Sequence, residues 1–219
     1  MSSRRFDLIA FDWDGTLSDS TAHIVHSLRA AAADVGVAVP SREACAYVIG
    51  LGLQQALRHC MPGLEPARYP QLTERYRHHY FAGHETLALF DGSLDMLQAL
   101  KARQHWLAVA TGKARRGLDI ALAQMGLGPL FDASRTADET ASKPDPRMLR
   151  ELMAEFGAAP ARTLMIGDTI HDLQMAANAG VAAVGVSFGA HEHEALLECK
   201  PLFIAHSTAE LHDWLLRHG

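Results

Sequence analysis

Short, predominantly apolar runs recur along this chain, separated by amphipathic stretches. Segments 6–11, 106–110, 163–166 and 181–186 are each followed by Gly, Asp, Ser or Thr and read as strands buried on both faces. Segments 131–134 and 202–205 are weaker strand candidates. The stretches between them predict helices near 93–103, 115–125, 146–156, 171–179 and 209–217, with Gly126 and Gly180 closing two of them. Strands alternating with helices argue for an α/β architecture with a parallel sheet covered on both faces.

One block breaks the alternation. Between Ser20 and Leu87 there is no strand pattern, only helices expected near 20–35, 42–47, 54–60 and 66–81. Ser20 is placed to cap the first of these and Gly36 to end it. Gly50-Leu51-Gly52 reads as a loop. Because the block follows the first strand directly, it predicts a small α-helical cap domain, residues 18–87, inserted into a core of residues 1–17 and 88–219. Ser18 and Asp91-Gly92 are the expected hinges.

Composition narrows the function. Of 219 residues, 48% are hydrophobic, enough for a sizeable core. No stretch approaches the roughly 20 apolar residues of a membrane helix. Met1-Ser2-Ser3-Arg4-Arg5 leads into an apolar run too short, and too soon acidic, for a signal peptide. A formal charge of −5 without a basic block argues against nucleic acid as a main partner. Cys45, Cys60 and Cys199 form no C-x-x-C pair and no disulfide framework, which suits a reducing cytoplasm. Lysine occurs only at 101, 113, 143 and 200.

Ligands of open parallel sheets bind beyond the carboxyl ends of the strands. Those ends carry Asp12-Trp13-Asp14-Gly15-Thr16, Thr111-Gly112-Lys113 and Gly167-Asp168-Thr169, with Asp172 following; Ser142-Lys143-Pro144 adds an ammonium in a loop. Four converging carboxylates would repel one another unless a hard divalent cation sat among them. Lys143 supplies fixed positive charge, and Thr111 with the N–H groups near Gly112 can hold phosphate oxygens. This combination suits phosphoryl transfer, where positioning and charge neutralisation dominate.

Asp12-Trp13-Asp14-Gly15-Thr16-Leu17, Thr111-Gly112, Lys143-Pro144 and Gly167-Asp168 with Asp172 together resemble the four ordered motifs of the haloacid dehalogenase superfamily. The resemblance implies a Rossmann-like core. A helical insert after the first motif, with Ile49-Gly50-Leu51-Gly52-Leu53 as its active-site loop, is similar to the phosphoglycolate-phosphatase-like branch. It further implies Asp12 as nucleophile, forming an aspartyl-phosphate, and Asp14 as general acid and then base. Mg²⁺ would be held by Asp12, the Asp14 carbonyl and Asp168, with Asp172 in support. Thr111, Gly112 and Lys143 would hold the phosphoryl group, and Lys143 would also orient Asp12.

Within that superfamily, Asp14 argues against a dehalogenase, and a cap without lysine argues against a phosphonatase. A β-phosphoglucomutase-like enzyme would carry a cap lysine and a histidine twelve residues past the nucleophile, where this chain has Ile24 beside His23. Hydrolysis of a small phosphorylated metabolite, phosphoglycolate by default, is the expectation. Pyrophosphate, nucleoside monophosphates, a mutase and a catalytically idle binding protein are the alternatives; an idle protein predicts a damaged motif, and none is damaged. Arg42, Arg58 and Gly50-Leu51-Gly52 are the candidate specificity contacts. The sequence does not indicate an oligomeric state. His191-Glu192-His193 and the Arg115-Arg116 pair read as solvated surface, Asp19-Ser20 as a helix cap, and the Trp13 indole as cap-facing packing.

Overall fold

The computed structural model describes residues 5–83 and 87–219. Residues 1–4, where the chain starts, and 84–86, part of the expected cap, lie outside it.

The described residues form a six-stranded parallel sheet in the order β3-β2-β1-β4-β5-β6. The strands are β1 (Leu8–Phe11), β2 (Trp106–Thr111), β3 (Ala133–Thr136), β4 (Thr163–Gly167), β5 (Ala182–Val186) and β6 (Phe203–Ala205). Strand alternation divides the core in two. Ile9, Phe11, Leu107, Val109, Leu164 and Ile166 face one side. There they meet Met96, Leu97 and Leu100 of α5 (Ser93–Ala102), Leu118 of α6 (Arg115–Met125), and Leu211 and Leu215 of α10 (Thr208–His218). Leu8, Ala10, Ala108, Ala110 and Met165 face the other side, against α7 (Arg147–Phe156) and α8 (Ile170–Ala179). The small alanines leave room for Met148, Leu149, Leu152 and Met175.

The block after β1 is helical: α1 (Thr21–Asp34), α2 (Arg42–Tyr47), α3 (Leu53–Cys60) and α4 (Tyr69–Gly83). It has its own apolar cluster, which includes Leu28, Ala31, Leu57 and Leu72. Complete burial of a leucine such as Leu57 or Leu72 contributes about 1.5–3 kcal/mol. The two chain connections to this block run side by side: Asp19 N–H donates to the Ala88 carbonyl and Phe90 N–H to that of Leu17, both at 2.9 Å.

The differences from the sequence reading are local. β3 lies two residues later than expected, because its pairing with β2 starts at Ala133 opposite Ala108. A short helix, α9 (His193–Glu198), lies in a stretch for which the sequence predicted no element. Ser20 precedes α1, but its hydroxyl makes no helix-capping bond and is used elsewhere.

Candidate active site

The chain leaves β1, β2 and β3 on one side of the sheet and returns to place β4 beside β1 on the other. This reversal opens the crevice used by ligands in such folds. Asp12 follows β1, Thr111 ends β2 and Asp168 follows β4, so three strands deliver their terminal side chains to one edge.

Asp12, Asp168, Asp172, Lys143 and Thr111 are all fully buried. Lys143 Nζ lies 2.6 Å from Asp12 Oδ1 and 2.6 Å from Asp172 Oδ1. One carboxylate oxygen from each of Asp12, Asp168 and Asp172 lies within 4.8 Å of the others. Thr16 Oγ1 donates to Asp168 Oδ1 at 2.8 Å, and Ala190 N–H donates to Oδ2 at 2.8 Å. The hydroxyl and N–H of Thr169 both donate to Asp172 Oδ2, at 2.6 and 3.1 Å. Asp172 thus closes a capping box at the start of α8 while its other oxygen faces Lys143.

The electrostatics follow from burial. Burial pushes the Asp12 carboxyl well above the usual carboxylate range; Asp172 and Asp168 push it further, while Lys143 opposes them. Asp168 is raised to about 7 by burial and by Asp172, against the Ala190 N–H, Thr16 and Lys143. Burial pulls the Lys143 ammonium down, but Asp12 and Asp172 outweigh it and the group is held charged. Three carboxylates around one ammonium leave an excess of negative charge. Asp12 Oδ2 is buried without a hydrogen-bond partner among the described residues. An oxygen-only donor set with an orphaned carboxylate oxygen fits a hard divalent cation.

The loop between α2 and α3 reaches this edge. A Cβ on Gly112 would stand 2.5 Å from the carbonyl oxygens of both Gly50 and Leu51, so only glycine permits the approach. Gly52 N–H donates to Ser142 Oγ at 2.7 Å, next to Lys143. A Cβ on Gly50 would meet Thr169 Oγ1 at 3.1 Å.

The two arginines are placed otherwise. The Arg58 guanidinium is exposed and lies 5.7 Å from the centroid of the Tyr69 ring, inside the helical block. Arg42 lines an open cleft of about 480 Å³ with Thr21, Tyr47, Ile170 and His191. Neither is brought to the aspartates as Gly50-Leu51-Gly52 is.

Several contacts went unread in the sequence. Lys113 Nζ lies 2.8 Å from Asp14 Oδ1, and Ser20 Oγ donates to the same oxygen at 2.7 Å. His191 is not solvated. It is 8% exposed, accepts from Ile170 N–H at Nδ1 and donates from Nε2 to the Tyr47 carbonyl at 3.0 Å. His171 shares that carbonyl at 2.8 Å, and burial lowers the pKa of both imidazoles, which favours the neutral ring that His191 needs to accept at Nδ1. Arg115 is likewise tied down, 2.7 Å from Glu139. Trp13 is 1% exposed and packs edge-on against Phe131 of the core. His23, the nearest candidate for a mutase histidine, bonds the Tyr80 carbonyl at 2.8 Å, and Ile24 is in the apolar cluster.

A switch-point crevice lined by buried aspartates and a lysine, beneath a helical insert, defines an α/β hydrolase built for phosphate. The chain belongs to the haloacid dehalogenase-like hydrolases, whose family model matches residues 9–186. It is 34% identical to the "Probable phosphatase IndB" of Dickeya dadantii, over 93% of this chain and 91% of that one. It is 31% identical to a phosphoglycolate phosphatase of Thiobacillus denitrificans, over 92% of each chain. At the same identity it resembles a 5'-nucleotidase of Pseudomonas aeruginosa, over 98% of this chain and 97% of that one. The crystal structure of a predicted phosphoglycolate phosphatase from Haemophilus somnus superposes with a TM-score of 0.84 at 25% identity, covering 97% and 99% of the two chains. The chain is therefore a phosphatase-type hydrolase of the phosphoglycolate-phosphatase-like branch. No helix among the described residues is long and apolar enough to cross a membrane.

Proposed function

We propose that this protein is a Mg²⁺-dependent phosphatase that hydrolyses a small phosphorylated metabolite through an aspartyl-phosphate on Asp12. The observation that carries this reading is the convergence of Asp12 and Asp172 on the Lys143 ammonium with Asp168 beside them, and Asp12 Oδ2 without a hydrogen-bond partner among the described residues.

Asp12 attacks phosphorus in line with the departing ester oxygen. Lys143 holds Asp12 in place and, with the Thr111 hydroxyl and the Gly112 N–H, binds the phosphoryl oxygens. Asp14 gives the leaving oxygen its proton, then takes a proton from the water that hydrolyses the aspartyl-phosphate. Asp12, the Asp14 carbonyl, Asp168 and Asp172 are the residues that would hold Mg²⁺. When bound, the ion offsets the charge that keeps an anionic nucleophile from an anionic substrate.

The segment 18–87 acts as the cap. Its Gly50-Leu51-Gly52 loop, packed on Gly112 and Ser142, limits the room beside the phosphate, which favours a compact substrate. A phosphoglycolate-like monoester fits that limit, in keeping with the names of several relatives. The 5'-nucleotidase relative keeps nucleoside monophosphates in the panel. The test is phosphate release from phosphoglycolate, pyrophosphate, nucleoside monophosphates and sugar phosphates, with Mg²⁺ and with EDTA. Release from a small monoester that EDTA abolishes is expected. An isomerised sugar phosphate without free phosphate would instead make the protein a mutase.

A further inference from the structure

Lys113 lies on the turn between β2 and α6, outside the residues given a role above, and its side chain is only 7% exposed. A buried ammonium is costly unless it is paired. Here Nζ stands 2.8 Å from Asp14 Oδ1 and donates to Tyr80 Oη at 2.6 Å. It also lies 4.7 Å from the centroid of the Tyr80 ring. Asp14 belongs to the core loop after β1, whereas Tyr80 belongs to α4 of the helical insert.

Ser20, just before α1, donates to the same Asp14 oxygen at 2.7 Å. Both contacts fall on Oδ1, and Oδ2 takes neither. A carboxyl group gripped on one oxygen from two sides cannot rotate freely, and it presents the other oxygen in a fixed direction. Two of the partners, Tyr80 and Ser20, lie in the insert or at its root.

We infer that Lys113 is a positioning residue that fixes Asp14 for proton transfer to the leaving group, and that Tyr80 makes this fixation depend on closure of the cap. The inference rests on the reading of Asp14 as the general acid. During transfer to Asp12 the ester P–O bond breaks, an Asp12 oxygen–phosphorus bond forms, and the departing alkoxide takes the Asp14 proton. A p-nitrophenolate departs without needing that proton. In the transfer step, loss of Lys113 therefore harms alkyl esters selectively, whereas loss of a merely structural cap-to-core tie would harm all substrates alike.

The experiment compares kcat/KM on p-nitrophenyl phosphate with kcat/KM on whichever of phosphoglycolate, glycerol phosphate or ribose phosphate the unmodified protein hydrolyses fastest, because kcat/KM reports the steps through departure of the leaving group and leaves out the later hydrolysis of the aspartyl-phosphate, which Asp14 serves for every substrate alike. Lys113→Met, Tyr80→Phe and Asp14→Asn are assayed at saturating Mg²⁺. General acid catalysis contributes about a hundredfold or more, so Lys113→Met is expected to lower alkyl-ester kcat/KM by at least about tenfold while that of the aryl ester stays within about threefold. Tyr80→Phe, which keeps the ring and its packing, shifts the same ratio in the same direction by less. Equal losses on both esters in Lys113→Met and an unchanged ratio in Tyr80→Phe, with discrimination present in Asp14→Asn, overturn the positioning role alone. Absence of discrimination in Asp14→Asn overturns the acid reading and this inference with it.

Discussion

Gly112 lies directly beneath the Gly50 carbonyl, so close that a Cβ on Gly112 would stand 2.5 Å from that oxygen. The residue that follows Thr111, the proposed phosphate ligand, is thus also the floor on which the cap loop rests. Gly112→Ala must lift the loop or shift the strand end. Displacements near 1 Å at such sites cost about a hundredfold, so kcat/KM is expected to fall by about tenfold to a hundredfold. Steady-state kinetics of the purified variant check this, with a urea melt to show that the fold survives. Unchanged kinetics would mean that the loop need not close to this depth.

Lys143 is the charge that permits Asp12 and Asp172 to be buried together. Removing one partner of a buried pair costs about 3–5 kcal/mol, because the remaining charges stay uncompensated. Lys143→Met is expected to destabilise the metal-free protein by about that amount at neutral pH, and Mg²⁺ is expected to recover part of it. Chemical denaturation with and without Mg²⁺ measures both effects. A loss below about 1 kcal/mol would show that the carboxylates are already neutralised by protons.

Asp168 supplies the pH dependence. Its folded-state value of about 7 lies above the ordinary 3.8, so between these the folded chain holds a proton that the unfolded chain has lost. The stability from this group is present at acid pH and declines as pH rises through about 7. A cation needs the carboxylate form, so the apparent Mg²⁺ affinity should weaken below pH 7 by up to about tenfold per unit for one displaced proton. Calorimetric titration in two buffers of different ionisation enthalpy reads both the affinity and the proton. An affinity that stays flat on acidification would contradict this account of the site.

The aspartates could be read from sequence because each follows a short apolar strand, and parallel topology sends strand ends to one edge. Asp12, Thr111 and Asp168 needed no more than that rule, and the ordered motifs supplied the family. The Lys113 contact with Asp14 was not legible, since it depends on how α4 crosses the core and brings Tyr80 within 2.6 Å. Ser20 illustrates competition between roles: the residue is suited to cap α1, but a carboxylate within reach takes its hydroxyl. His191 was misjudged because a His-Glu-His run looks polar in sequence. In the fold, its ring stacks on Tyr47 at 5.5 Å and satisfies two backbone groups.

Asp12 is the proposed nucleophile, the carboxylate that attacks phosphorus. Asp12→Asn keeps the size of the side chain and removes its charge, so the most direct measurement is Mg²⁺-dependent phosphate release by this variant, with its fold checked by circular dichroism. The account predicts that turnover collapses by orders of magnitude while the protein stays folded. Metal-dependent turnover retained by folded Asp12→Asn would contradict it.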